Sequence, residues 1–189
     1  MLSGIPQLKA LYVEADAEAA ELNAFVGECE RRLCECLRND ELPSIELVGA
    51  IACAKVKCVE GSIKSCHRLQ NEVGSYALMA NTGFENIDFL TCCKFAEGDS
   101  RILMQKMSRD RMKRFQTKAK VGDSPPNGVD PDDWDKEYHA CTTLQVKMMK
   151  LMTEEGLDKQ AAWDHCWVEV YDLAELIMAR TMKAFMANA

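Results

Sequence analysis

The sequence predicts an all-α fold, an antiparallel helical bundle of about five main helices that forms a single helical domain over residues 1–189. Three observations predict this class. Apolar residues recur at helical spacing over long stretches, no alternating β pattern of useful length is present, and only 5 prolines and 10 glycines interrupt the chain. A chain of 189 residues that is 48 % apolar is long enough to bury a core.

The first helix is predicted over residues 6–38. Its apolar seam runs from Leu8 to Cys36 at alternating spacings of four and three residues, which places the seam on one face of a helix. The opposite face is rich in acidic residues. Pro43 is expected to end the segment, because the residue before a proline is pushed out of the helical conformation.

The second helix is predicted to start after Ser44, a natural N-cap, and to run to about Met79. The stripe expected to face inward begins with Ile45 and Val48 and is rich in small residues, which favour close approach of a neighbouring helix. A turn signal and a mixed connection over residues 87–95 follow.

The third helix is predicted over residues 101–118, with Asp99 or Ser100 as its cap. Residues 101–120 hold eight Lys and Arg against Asp110 alone, a net charge of +7 in a chain whose total is −7. This basic face is either solvated and paired with acidic neighbours or a docking strip for an acidic partner, a phosphate-bearing ligand or an anionic surface. The cations predicted to bind a partner are Arg101, Lys106, Arg109, Arg111, Lys113 and Arg114.

A linker is predicted over residues 119–130, between a bundle core at 6–118 and a helical hairpin at 131–187 that completes the bundle. Asp130, followed by a proline and further acidic residues, is a strong helix start. The fourth helix is expected to end near Glu155, and the fifth to fill the rest of the hairpin.

The ten cysteines are interpreted as reduced, small core residues, because Cys29, Cys36 and Cys66 fall on the apolar helical stripes. The alternative is metal or redox chemistry, with Cys34-Glu35-Cys36 and Cys92-Cys93 as its candidates. Because core packing accounts for these cysteines, we expect no metal site. Reduced cysteines indicate a reducing intracellular compartment, including an organelle entered with a targeting segment that was later removed.

The net charge of −7 argues against nucleic acid as a partner, because phosphates attract basic surfaces. Apolar runs stay well short of the roughly 20 residues that span a bilayer, so no transmembrane segment is expected.

The central part of the chain contains a run of residues that carries a resemblance to a known family. These residues are Cys66-His67-Arg68, Tyr76, Gly83-Phe84, Phe95-Ala96-Glu97-Gly98-Asp99, Leu103, Gln105 and Arg109. The run resembles the C-terminal helical domain of acyl-CoA oxidases and acyl-CoA dehydrogenases. In that family a Gly-Gly-x-Gly-Tyr turn beside the flavin is followed about twenty residues later by a Tyr-Glu-Gly motif that opens a helix. Here Tyr76 and Glu97 are 21 residues apart.

The resemblance implies that Glu97 is the base that removes the α-proton of an acyl-CoA thioester while a hydride passes to flavin N5. It also implies that Gly74, Ser75 and Tyr76 lie beside the FAD. The flavin-facing turn departs from the family, since Glu72 and Val73 replace its glycine pair and would obstruct close approach of the cofactor. The N-terminal helical domain and the middle β-domain of the family do not occur in this sequence.

These departures predict a pseudoenzyme without cofactor, a non-catalytic helical subunit or adaptor of a larger assembly whose partners are other protein chains. The alternative is the C-terminal half of a split FAD-dependent acyl-CoA oxidase that acts on fatty acyl-CoA with Glu97 as base. A third hypothesis is a stand-alone binder of acyl-CoA, with the basic helix attracting its phosphates.

Overall fold

The structure, a computed structural model, describes residues 4–118 and 129–187. Regular structure in these ranges is helical throughout, which confirms the all-α class. Short 3-10 helices lie at Gly74–Leu78 and Phe84–Asn86. The α-helices of the described ranges are α1 (Pro6–Arg38), α2 (Ile45–Val73), α3 (Ile87–Cys93), α4 (Ser100–Lys118), α5 (Pro131–Glu154), α6 (Lys159–His165) and α7 (Trp167–Met186).

The chain divides into two compact units, Met1–Ser100 and Arg101–Ala189. Internal contacts therefore group most of α4 with the helices that follow it. The prediction of a single domain with a core at 6–118 and a hairpin at 131–187 stays a prediction. Most of the predicted linker, residues 119–128, lies outside the described residues. None of the helices in the described ranges combines the length and the apolar character of a membrane span.

The first unit is built on an antiparallel pair formed by α1 and α2. Arg68 near the end of α2 donates two hydrogen bonds, of 2.5 and 2.8 Å, to Glu14 near the start of α1. The helices approach closely at Gly61, where an added Cβ would lie 3.0 Å from Oε1 of Glu18. Ser44 caps α2 as predicted, because its Oγ accepts from the backbone N–H of Leu47 at 3.1 Å.

The buried face of α2 differs from the predicted stripe. Ile45 is 84 % exposed and Val48 is also exposed, whereas Leu47 and the small residues after it are buried. The stripe is predicted from the spacing of apolar residues within α2 alone, whereas the buried face is set by packing against neighbouring helices. The helix also ends at Val73, earlier than the predicted Met79, because the chain continues as a 3-10 turn from Gly74, at φ 60°.

The second unit is built on an antiparallel pair formed by α5 and α7. Asp133 at the start of α5 accepts from Lys183 near the end of α7 at 2.6 Å, and Lys147 farther along α5 pairs with Glu169 near the start of α7. The predicted fifth helix is divided at Cys166 into α6 and α7. The core of this unit comprises Met112, Phe115, Cys141, Leu144, Met148, Ala162, Trp163, Cys166, Val170, Leu173 and Ile177.

Candidate functional site

The turn that carries Glu97 is fixed to α2 by Lys55. The Lys55 ammonium donates to the carbonyl oxygens of Lys94, at 2.8 Å, and Gly98, at 2.6 Å, and to Oγ of Ser100, at 3.1 Å. These three acceptors use all three N–H groups of the ammonium. Ser100 is almost fully buried, and its backbone N–H donates to the carbonyl of Lys94 at 2.9 Å. The turn therefore has a defined position on α2.

Glu97 itself lies on the outside of this turn, with an exposed side chain, three residues before α4 begins at Ser100. Its backbone has a φ of 53°, in the left-handed region that favours glycine, and Gly98 follows at 104°. The resemblance implies that Glu97 acts as a base, whereas the structure leaves its side chain exposed. Small-molecule sites are concave and bury most of their ligand, whereas this carboxylate is exposed.

The residues predicted to face a flavin form the start of the 3-10 turn at Gly74–Leu78. Gly74 and Ser75 are exposed, and the Tyr76 side chain is 42 % exposed. Gly74 takes a φ of 60° where α2 ends, which explains a glycine at this position. The observed role of Gly74 is therefore to end a helix.

A shallow open groove beside this turn is lined by Glu72 together with Glu14 and Arg68. The hydrogen bond from Arg68 holds the pKa of Glu14 below its usual value. Arg68, one of the residues that carry the family resemblance, is thus engaged by a carboxylate of α1.

The predicted partner-binding cations of α4 differ in their exposure to solvent. Arg101, Lys106, Arg109, Lys113 and Arg114 are exposed, whereas Arg111 is 3 % exposed. Asp110 pairs with Lys106 at 2.7 Å. Five of the six cations therefore lie at the surface of α4, and the binding role assigned to them stays a prediction.

Arg111 belongs to a buried charge network of the second unit. Its guanidinium pairs with Glu137, which is fully buried and also accepts from Arg180 at 2.6 Å. Both guanidiniums lie over the Trp134 ring, at 4.6 Å for Arg111 and 5.8 Å for Arg180. Arg111 therefore lies in a buried ion-pair network and not at the surface of α4 with the other five cations.

A second arrangement on α4 is not predicted from the sequence. The guanidinium of Arg101 lies 4.5 Å above the Tyr171 ring, and that of Arg109 lies 5.4 Å above the Trp163 ring. Trp167 packs edge-on against Tyr171, with 6.2 Å between ring centroids, and is 60 % exposed. Trp163, Trp167 and Tyr171 thus form an aromatic row along α6 and α7. Their regular spacing of four residues is the signal in the sequence that could have revealed this row.

The cysteines differ in exposure. Cys29, Cys53, Cys141 and Cys166 are buried, and Cys92 is exposed. Burial raises the pKa of the Cys29 and Cys166 thiols. Among residues 4–118 and 129–187, the side chains of His, Cys, Asp and Glu form no group of three or more that could hold a metal ion.

Comparison with protein-family models, curated proteins and solved structures finds no match to this chain. The resemblance to acyl-CoA oxidases and dehydrogenases therefore stays a prediction from the residues that carry it.

Proposed function

We propose that this chain is a non-catalytic helical subunit or adaptor of a larger protein assembly, built as a bundle like the C-terminal domain of acyl-CoA oxidases and dehydrogenases. The main support for this proposal is the exposure of the Glu97 side chain. Abstraction of an α-proton from an acyl-CoA needs a carboxylate inside a concave site that buries the substrate beside the flavin. Glu97 stands in solvent on a turn held by Lys55, which supports a structural role for this segment.

Exposed apolar side chains at the connection between α1 and α2 support an interaction role. Leu42 is 93 % exposed, and Leu37, Ile45 and Val48 are exposed on the adjoining helical turns. Groups of exposed large apolar residues mark sites of association more often than ordinary surface. They support a role in which other protein chains cover part of the first unit.

The alternative proposal is the C-terminal half of a split FAD-dependent acyl-CoA oxidase, with Glu97 as base. One observation favours it. The left-handed backbone of Glu97 is rare for a residue with a Cβ, and such strain concentrates at functional sites. In this alternative a partner chain would cover Glu97 and complete the flavin site.

Gentle purification of the full chain from its natural source tests the proposal. The visible absorbance spectrum reports bound flavin, and mass spectrometry identifies the chains that co-purify in stoichiometric amounts. We expect partner chains without flavin, and an unchanged set of partners for the Glu97→Gln variant. A stoichiometric flavin, together with acyl-CoA oxidation that Glu97→Gln abolishes, would establish the split oxidase instead.

A further inference from the structure

Two rows of side chains face each other within the second unit. Arg101, Gln105 and Arg109 follow one another at intervals of four residues along α4, and three aromatic residues do so along α6 and α7. Arg101 contacts Tyr171, at the far end of the aromatic row, and Arg109 contacts Trp163, at its near end. The two rows are therefore antiparallel.

The contacts fix the geometry of this surface. Gln105 donates from Nε2 to the Tyr171 hydroxyl at 3.2 Å, on the ring that Arg101 covers. Trp163 is buried, and its ring supports the exposed Arg109. A guanidinium within about 6 Å of a ring centroid is attracted by the negative face of the ring. Two cations therefore lie at the two ends of the aromatic row.

Trp167 occupies the middle of this row and is 60 % exposed. The other tryptophans of the chain, Trp134 and Trp163, are buried. A large aromatic ring left in water costs hydrophobic free energy, and Trp, Tyr and Arg are the residue types that dominate binding hot spots in protein interfaces.

We propose that the surface formed by Arg101, Arg109, Trp167 and Tyr171 docks an acidic polypeptide segment, in which one apolar side chain covers Trp167 and flanking carboxylates meet the two guanidiniums. This inference rests on the proposed function as a subunit or adaptor and names its docking surface and the chemistry of its partner.

The spacing of the cations defines the segment further. Arg101 and Arg109 are eight residues apart, about 12 Å along the axis of α4 at about 1.5 Å per residue. A helix lying along α4 presents side chains eight residues apart over the same length, with the residue midway on the same face. The matching pattern is an acidic residue, an apolar residue four positions later and a second acidic residue four positions after that.

A polypeptide fits this surface better than a single-stranded nucleic acid. Stacking platforms for nucleic acids offer successive aromatic rings to successive bases, whereas Trp163 is buried in this row. A nucleic acid carries a phosphate at every nucleotide, whereas this row has its cations at its two ends. A peptide can place its carboxylates at the two arginines alone.

The experiment measures fluorescence anisotropy of a labelled, alanine-rich helical peptide added to the full chain. The probe peptide carries two glutamates eight residues apart and a phenylalanine midway. One matched peptide replaces both glutamates by glutamine, and another replaces the phenylalanine by alanine. Single-stranded oligouridylate of similar length is the nucleic-acid probe. The protein variants are Trp167→Ala, Arg101→Glu and Arg109→Glu, and Lys150→Glu, an exposed cation on α5, is the control for generic charge.

We expect the glutamate–phenylalanine peptide to bind at least about tenfold more tightly than either matched peptide, as a hot spot requires. Each variant in the docking surface should weaken binding by about tenfold, and Lys150→Glu should leave it unchanged. The proposal is overturned by equal binding of the glutamine peptide, by an equal loss in Lys150→Glu, by tighter binding of oligouridylate, or by no binding of the probe peptide.

The outcomes separate this surface from the broader proposal. Partner chains that co-purify equally with wild type and Trp167→Ala would leave the adaptor role intact and exclude this surface. Stoichiometric flavin and acyl-CoA oxidation dependent on Glu97 would exclude the adaptor role, whatever the peptide does.

Discussion

The ammonium nitrogen of Lys55 lies 2.6 Å from the carbonyl oxygen of Gly98, a residue 43 positions farther along the chain. This hydrogen bond, with those to Lys94 and Ser100, joins the middle of α2 to the turn between α3 and α4. A second link supports it, because Glu60 of α2 pairs with the Lys94 ammonium at 3.1 Å. The position of Glu97 thus depends on α2 rather than on its own side chain.

Replacement of Lys55 by methionine should destabilise the first unit by about 2 kcal/mol, because three acceptors lose a charged donor. Amide hydrogen exchange should accelerate across residues 95–100 more than elsewhere in the unit. Lys64→Met, at an exposed position of the same helix, is the matched control and should change little. Uniform acceleration over the whole unit would contradict a local role of Lys55.

Replacement of Glu97 by glycine should stabilise the protein by about 1 kcal/mol or less. The left-handed φ of 53° is unfavourable for a residue that has a Cβ, and glycine avoids this cost. Glycine, however, loses more conformational entropy on folding. Ala96→Gly is the control, and only the entropic loss should act there. Chemical denaturation measures both. Equal destabilisation by the two substitutions would show that Glu97 is not strained.

Removal of the Glu137 charge should be among the most damaging single changes in the second unit. Glu137→Gln leaves Arg111 and Arg180 uncompensated in a buried site, and we expect a loss of about 3–5 kcal/mol in the free energy of unfolding. Glu154→Gln, at an exposed position, should stay within about 0.5 kcal/mol of wild type.

The network also predicts a rescue. The triple variant Arg111→Met, Glu137→Leu and Arg180→Met should recover most of the stability lost in Glu137→Gln, because no buried charge then lacks a partner. Urea denaturation curves of the two variants give the comparison. A triple variant no more stable than the single one would show that packing around Trp134, rather than charge pairing, dominates.

Lowering the pH should reduce the stability of the fold, because Glu28 of α1 becomes protonated. Hydrogen bonds from Arg31 and Arg32 lower the pKa of this carboxyl from 4.5 to about 2. A folded-state pKa below the unfolded value stabilises the fold fully above pH 4.5, and this contribution is lost as the pH falls towards 2. The urea midpoint should decline over that range, and less steeply in Glu28→Gln. An identical decline of the urea midpoint in wild type and Glu28→Gln would contradict this coupling between Glu28 protonation and stability.

The thiols should react in the order of their exposure. Cys92 is exposed and should be alkylated first by iodoacetamide, whereas Cys29 and Cys166 are buried and their raised pKa values lower the thiolate fraction. Peptide mapping after short exposures gives the order. Early labelling of Cys166 would indicate that the core around α6 and α7 opens readily.

Local signals in the sequence predict several of the helix ends, although not the end of α2 or the division at Cys166. The first helix is predicted over 6–38 and lies at Pro6–Arg38. Asp130 accepts from the backbone N–H of Asp132 at 2.9 Å, as its predicted capping role requires. Caps and prolines act within one turn of the helix they bound, so neighbouring residues suffice to reveal them.

Features that depend on distant partners are not predictable in this way. The charge run of α4 gives no sign that Arg111 is buried, because its partner Glu137 lies 26 residues away. Lys55 donates to the backbone carbonyls of Lys94 and Gly98. Every residue has a backbone carbonyl, so the residue types do not reveal these acceptors. The exposure of Ile45 likewise follows from the face of α2 that packs on α1.

The non-catalytic assignment is tested most directly by acyl-CoA oxidation in the natively purified assembly, measured for wild type and for Glu97→Gln. Oxygen consumption with a series of fatty acyl-CoA substrates gives the rate, and the visible spectrum gives the flavin content. We predict that the assembly contains no flavin bound to this chain and that any oxidation is the same in both proteins. Stoichiometric flavin, with oxidation present in wild type and abolished in Glu97→Gln, would contradict the assignment.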